Sequence, residues 1–253
     1  MNDLVKARVY DVLGELGKNV EFGKRTSLVA FANLAGLANL VKISEHAGEW
    51  PVAISIAIAL DPAVVARIPG GPHEDYAREY DRVNAILDEL GLAVEKQIVE
   101  RGCAAYAITR ERAPYEKNVC RTPFPHKTAA RLAGLGWIGK NALLVTPEFG
   151  AAIRLTTVLT DAPLICDRPI LEQKCGACQK CRDSCPGGAI LGRLWSVEID
   201  RDDMVDAQKC GKTTETRGQD LKIRSATCGL CFASCPFTRA RSQQSSGDDP
   251  QRR

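Results

Sequence analysis

Apolar positions in the first 165 residues predict alternating helices and strands. From Tyr80 to Ile98, apolar side chains recur at steps of three and four, the spacing of an amphipathic helix, which Gly102 would end. The run from Val52 to Leu60 is rich in β-branched residues and is bounded by prolines, so it predicts a buried central strand. These two patterns indicate a mixed α/β fold.

Other stretches predict the elements around this helix and strand. A first helix is expected from Asp3 to Leu16, and a strand from Cys103 to Thr109. A short helix from Thr128 to Leu135 should lead into a glycine-rich turn. The apolar runs 141–146 and 151–160 are expected to pair with each other as a hairpin.

Cysteine usage divides the sequence near residue 165. Only two of the eleven cysteines precede this point. We therefore predict an α/β domain over residues 1–165 and a cysteine-rich domain over residues 166–238. Residues 239–253 are too polar to bury apolar surface, so we expect a disordered tail there.

Net charge and hydropathy indicate the cellular compartment of the protein and the kinds of partner that it binds. The chain of 253 residues carries a net charge of +3, which is too small to indicate nucleic-acid binding. Its start lacks the layout of a secretory leader, and no apolar run is long enough to span a membrane. Free cysteines suit a reducing compartment. We expect a cytoplasmic protein with neither a membrane nor a nucleic-acid partner.

The strongest chemical signal is the run from Cys175 to Pro186, which reads C-x2-C-x2-C-x3-C-P. A partial copy follows from Cys228 to Pro236, with Cys210 upstream of it. Bacterial ferredoxins hold [4Fe–4S] clusters with this spacing, and the fourth cysteine of each run binds the other cluster. The prediction is therefore two clusters in a bacterial-ferredoxin-like domain: one on Cys175, Cys178, Cys181 and Cys235, the other on Cys185, Cys210, Cys228 and Cys231.

Disulfide bonds or a zinc site would account for these cysteines less well. Disulfide frameworks are typical of short secreted chains, which this sequence does not resemble. A tetrahedral zinc site usually takes its third thiolate from farther along the chain than a C-x2-C-x2-C run allows. Iron–sulfur clusters, and hence electron transfer, are the favoured interpretation.

A glycine motif at Gly134, Gly136 and Gly139 matches the G-x-G-x-x-G pattern of dinucleotide sites. That fingerprint needs a strand before it and a helix after it. Here a helix is expected before it and a strand after it, which argues against a dinucleotide. The glycines instead indicate a backbone that closely approaches a flat cofactor or a packed neighbouring segment.

Several motifs, taken in order, resemble those of the epoxyqueuosine reductases and, more distantly, of the reductive dehalogenases. They are A-G-L-G-W-I-G-K-N at 133–141, T-P-E-F-G at 146–150, Thr160-Asp161 and the eight cysteines. The resemblance covers about residues 50–238 and implies a cobalamin in a nitroreductase-like α/β domain, which the clusters supply with electrons. It also implies corrinoid contacts from one loop: Gly134, Gly136, Trp137, Gly139, Lys140 and Asn141.

This sequence departs from the family pattern at two places. Where the epoxyqueuosine reductases have a proton-donating aspartate, it has Cys120. Cys120 is therefore a candidate proton donor, although a free cysteine is equally well explained as a small packed side chain. The family also continues beyond the clusters into a tRNA-binding helical region, whereas this sequence ends, so we expect a different substrate.

Polar side chains outside these motifs are weaker candidates. His126 and Lys127 follow a proline-rich turn, where a surface position at the start of a helix is the simpler interpretation. Tyr76, Tyr80 and Asn84 share one helix face and are better explained by packing.

The resulting functional prediction is a cytoplasmic, cobalamin-dependent iron–sulfur oxidoreductase. A flavodoxin or ferredoxin would supply electrons, which pass through both clusters to the corrinoid and then to a small-molecule substrate. One alternative is an electron-transfer protein without its own corrinoid that reactivates a corrinoid protein. A weaker alternative is an epoxyqueuosine reductase that acts on tRNA.

Overall fold

The computed structural model describes residues 1–16, 26–35, 50–70, 74–112, 120–122, 124–220 and 228–239. In chain order their helices and strands are α1 (Asn2–Leu16), β1 (Ser27–Asn33), β2 (Val52–Ala59), α2 (Pro62–Arg67), α3 (Glu74–Val99), β3 (Ala105–Ile108), α4 (His126–Leu132), β4 (Trp137–Ile138), β5 (Leu144–Val145), β6 (Ile153–Thr160), α5 (Lys180–Asp183), α6 (Ala207–Asp220) and α7 (Leu230–Ala233). The mixed α/β class is as predicted.

The larger sheet is built around β2. Its strand order is β1-β2-β6-β3, and β1 runs antiparallel to β2, as β3 does to β6. All eight residues of β2 are buried, which is the position that its β-branched sequence predicts. Helix α4 packs against β1 and β2.

Helix α3 is the long amphipathic helix that the periodicity predicts. The predicted apolar positions Val83, Leu87, Leu90, Val94 and Ile98 are all buried. Acidic Glu74 and Asp75 occupy its first turn, where the helix dipole favours negative charge.

Helix α4 ends three residues earlier than predicted. Gly134 adopts a φ of +75°, and its N–H donates to the carbonyl of Arg131. This left-handed glycine terminates the helix before Leu135, because L-residues with a Cβ rarely adopt that conformation.

The predicted hairpin between 141–146 and 151–160 is wrong. Strand β5 pairs with β4, through Trp137–Val145 and Ile138–Leu144. A turn closes this pair, since the N–H of Gly139 donates to the carbonyl of Leu143 at 2.8 Å. Strand β6 instead pairs across the sheet with β3. Strand β1 was not predicted at all.

Residue contacts divide the described chain into two compact units. The first combines residues 1–59, 82–135 and 154–170, and it holds most of the larger sheet with α1 and α4. The second combines residues 60–81, 136–153 and 171–253, and it holds α2, the β4–β5 pair and α5–α7. The domain boundary near residue 165 stays a prediction.

Two further expectations concern the ends of the chain and the membrane. Residues 240–253 of the expected disordered tail lie outside the described residues. Among the helices that the structure describes, none is long and apolar enough to cross a membrane.

Candidate metal centre

The two cysteine motifs of the second unit fold into matching short helices. Helix α5 carries Cys181 and is followed by Ser184, and α7 carries Cys231 and is followed by Ser234. The two serine hydroxyls lie 2.9 Å apart and share a hydrogen bond, and the Ser234 hydroxyl also approaches the carbonyl of Lys180 at 3.3 Å. These bonds hold the two motifs side by side.

One cavity in this unit gathers cysteines from both motifs. It has a volume of about 270 Å³, and its lining includes Cys175, Cys178, Cys181 and Cys235. The first three belong to the first motif, and Cys235 is the last cysteine of the second. These four side chains are the set that the sequence predicts for one cluster; their role as ligands stays a prediction.

The thiols around this cavity influence one another. The pKa of Cys181 is raised to about 11, mainly by burial and then by the charges of Cys175, Cys235 and Cys178, while a backbone hydrogen bond from Arg182 opposes the rise. Burial also raises the pKa of Cys235, against hydrogen bonds from the backbone of residues 237 and 238. The four sulfurs therefore form one electrostatic group.

The other four cysteines form a second group around Cys231. Burial raises the pKa of its thiol first, followed by the charges of Cys210, Cys228, Cys181 and Cys185. The Cys185 sulfur also accepts a hydrogen bond from the N–H of residue 189 at 3.3 Å. Cys210 is the exposed member of the group.

This donor set fits two iron–sulfur clusters. Burial and neighbouring thiolates raise the pKa of Cys181, Cys231 and Cys235, so these thiols resist ionisation in a poorly solvated space. A cationic metal centre displaces the protons and balances the thiolate charge. Two such groups of four thiols suit two cubane clusters.

Three of the predicted corrinoid contacts line the same cavity as the first four cysteines. Gly139, Lys140 and Asn141 form the turn between β4 and β5. The Asn141 Oδ1 accepts a hydrogen bond from the N–H of Leu143 at 3.3 Å, which fixes the turn. Lys140 and Asn141 are only 5% and 6% exposed.

The other two glycines of the motif are explained by packing within the chain. A Cβ at Gly134 would collide with the carbonyl oxygen of Arg168, and a Cβ at Gly136 with that of Val145. Protein atoms therefore already occupy the space that a side chain would need. The corrinoid contacts predicted for these glycines stay predictions.

Trp137 is fully buried beside the cysteine cavity. Its ring meets Phe237 edge-on at 4.9 Å between centroids, and the ammonium of Lys174 lies 5.8 Å from its centre. Both neighbours line the cavity. Within the described residues its indole N–H has no hydrogen-bond partner.

The predicted proton donor, Cys120, lies in the first unit in an unusual backbone conformation. It is partly buried and has a φ of +51°, a region that favours glycine. Residues 113–119 and 123, which surround it in sequence, lie outside the described residues. Its role as a proton donor stays a prediction.

His126 lies in a polar cluster that the sequence did not reveal. Its Nδ1 is 3.0 Å from the Thr157 hydroxyl, and the nearby Arg154 donates through Nε to Asn84 at 2.9 Å. Although the residue keeps some exposed surface, burial of the imidazole lowers its pKa to about 4, helped by Arg154 and opposed by Asp88. Thr157 is distant in sequence, so no local pattern predicts this contact.

Comparison with known proteins supports the cluster chemistry. Residues 174–238 match the family described as a 4Fe-4S double cluster binding domain. An epoxyqueuosine reductase of a Synechococcus species is 30% identical over 77% of this chain, and one of Gloeobacter violaceus is 32% identical over 73%. This chain spans 56% and 55% of those two relatives.

Solved structures share the fold at 19% sequence identity. A reductive dehalogenase, whose structure suggests a mechanism for B12-dependent dehalogenation, matches 86% of this chain with a TM-score of 0.63; this chain covers 31% of it. An epoxyqueuosine reductase with a modified tRNA-Tyr stem loop matches 93% with a TM-score of 0.52, and 66% of it is covered.

These findings confirm the resemblance and correct two functional predictions. The curated relatives bear the name of an epoxyqueuosine reductase, and one solved neighbour was determined with a tRNA stem loop. The main prediction of a small-molecule substrate is therefore wrong, and so is the argument against a nucleic-acid partner. The first had relied on Cys120 in place of the family's aspartate and on the missing tRNA-binding region, and the second on the small net charge.

Proposed function

We propose that this chain, which is similar to epoxyqueuosine reductases and matches a double [4Fe–4S] cluster domain, reduces an epoxyqueuosine-type nucleoside in tRNA. The observation that carries this proposal is the pair of cysteine groups, one of which surrounds a cavity with members from both motifs. They supply the electron path that a reductase of this kind needs.

Two clusters match the electron count of the reaction. Removing the epoxide oxygen as water breaks two carbon–oxygen bonds, leaves a carbon–carbon double bond and consumes two electrons and two protons. Each [4Fe–4S] cluster carries one electron at a time, so the two together hold the pair that one turnover requires. An external reductant restores both clusters.

Cobalamin is the proposed additional cofactor, which would supply a strongly reducing cobalt centre when bound. Support comes from the family resemblance and from the neighbour described as B12-dependent. The loop residues do not by themselves form a corrinoid-binding surface. Protein atoms fill the space beside Gly134 and Gly136, and Lys140 lines the cysteine cavity. We therefore assign no step of the reaction to the corrinoid.

Cys120 is the proposed source of one proton. It takes the place of the family's aspartate, and a thiol is a competent proton donor when it is positioned near the reacting atoms. Its left-handed backbone agrees with a functional position, since strained conformations concentrate at active sites.

The test uses the full chain, purified anaerobically and reconstituted with iron, sulfide and hydroxocobalamin. Iron and cobalt are measured after desalting, and a tRNA stem loop that carries epoxyqueuosine is added with dithionite. The expected result is about eight irons and one cobalt per chain, and loss of one oxygen atom from the nucleoside by mass spectrometry. Full iron and cobalt without any loss of oxygen would overturn the proposed substrate.

A further inference from the structure

Lys140 is a basic residue in the wall of the cavity that the first four cysteines share. It is 5% exposed and lines the cavity that these cysteines share. Within the part of the chain that the structure describes, no carboxylate pairs with it, and the described lining of the cavity contains no acidic side chain. The described lining of the cavity therefore offers no anionic partner to this largely buried lysine.

A positive charge in a poorly solvated place is stabilised by a nearby negative charge. A cubane cluster held by four thiolates is anionic, and it gains one further negative charge when it is reduced. Such a cluster in this cavity would be the missing partner of Lys140. The cation would then stabilise the reduced cluster more than the oxidised one, because its attraction grows with the negative charge.

We propose that Lys140 raises the reduction potential of the cluster on Cys175, Cys178, Cys181 and Cys235, so that this cluster is reduced first. This inference rests on the proposed electron-transfer role of the two clusters. Hydrogen bonds from the N–H groups of Gly139 and Leu143 hold the turn that carries Lys140, so the backbone of Lys140 is fixed beside the cavity.

Lys174 offers a matched control at the same cavity. It also lines the cavity, but its side chain is 39% exposed and its ammonium lies 3.9 Å from the carboxylate of Glu172. Solvent and this carboxylate both screen its charge. Removing the Lys174 charge should therefore affect the cluster much less than removing the Lys140 charge.

The experiment is a potentiometric titration of the reconstituted full chain, followed by electron paramagnetic resonance and carried out without corrinoid or RNA. In Lys140→Met we expect one of the two cluster midpoints to become more negative, by at least a tenfold change in the equilibrium constant, about 59 mV. Lys140→Arg should keep the wild-type midpoint, and Lys174→Met should shift it less than Lys140→Met does.

Unchanged midpoints in Lys140→Met at full iron content would overturn the inference. If Lys140→Met instead loses about half of its iron while Lys140→Arg keeps all of it, the positive charge is needed to hold the cluster, which supports the inference. Equal iron loss in both variants would overturn it, because shape rather than charge would then matter. None of these results depends on tRNA, so failure of the proposed substrate would leave them unaffected.

Discussion

Cys120 combines a partly buried thiol with a backbone conformation that few residues other than glycine adopt. Replacing it by serine keeps the size and the backbone demand but supplies a weaker acid. If Cys120 delivers a proton to the substrate, turnover of the tRNA stem loop by Cys120→Ser should fall at least tenfold, since general acid catalysis contributes about 10²- to 10⁴-fold. The measurement is single-turnover oxygen loss by mass spectrometry.

Cys103→Ser is the matched control for this prediction, because Cys103 is another partly buried cysteine of the first unit, outside the two cysteine motifs. It should keep wild-type turnover, and both variants should keep full iron content. Wild-type turnover in Cys120→Ser would assign the residue to packing alone.

His126 predicts a pH dependence of stability. Its pKa in the folded protein is about 4, against an ordinary value of 6.5. Below pH 6.5 His126 binds a proton in the unfolded chain but not in the folded protein. The contribution of His126 to the free energy of unfolding is therefore fully present above pH 6.5 and is lost as the pH falls toward 4. Between pH values of about 7.5 and 5.5 this single group should remove roughly 1 kcal/mol.

The variant His126→Gln keeps a hydrogen-bonding partner for Thr157 and removes the titration. Anaerobic urea unfolding at both pH values should show a smaller acid loss in the variant than in the wild type, by that same roughly 1 kcal/mol. An identical acid loss in both proteins would show that His126 is protonated as readily in the folded state as in the unfolded chain.

At the level of the elements, Gly136 makes the β4–β5 pair possible. Its Cα lies against the backbone of Val145, so the Cβ of Gly136→Ala would collide with that carbonyl oxygen. We expect a loss of roughly 1–3 kcal/mol in unfolding free energy, as for other overpacked sites. Because the same pair carries Lys140, iron retention should fall as well.

Gly211→Ala is the contrasting change. Gly211 lies inside α6, and a Cβ there would meet no atom within 4 Å. Alanine should therefore raise stability by up to about 1 kcal/mol through helix propensity. Thermal unfolding of Gly136→Ala and Gly211→Ala tests both predictions. Wild-type stability of Gly136→Ala would contradict the assignment of the glycine motif to packing.

Local patterns account for the elements that the sequence predicted correctly. The burial of β2 and the period of α3 are properties of contiguous residues, so hydrophobicity alone reveals them. The partner of β5 depends on the turn at Gly139, and β6 finds its partner β3 across the sheet. Such non-local pairing is not encoded in a window of apolar residues, which is why the predicted hairpin was wrong.

At the level of the whole molecule, the site joins residues that are far apart in the chain. Motif spacing was enough to propose that Cys235 belongs with the first cysteines, because the ferredoxin pattern contains this exchange. Spacing could not show that Lys140 shares their cavity, since that contact depends on how the β4–β5 turn packs against the second motif within the same unit. From the family resemblance, Lys140 had been predicted to contact a corrinoid instead.

The exchanged cysteine gives a prediction for the assembled protein. If Cys235 binds with the first group, Cys235→Ser and Cys175→Ser should disturb the same cluster, and both should leave the same residual signal in electron paramagnetic resonance. Cys228→Ser should disturb the other cluster and leave the complementary signal. A Cys235→Ser spectrum that matches the Cys228→Ser spectrum would contradict the exchange, because each motif would then hold its own cluster. Lys140 and Cys235 would in that case act on different clusters although they line one cavity.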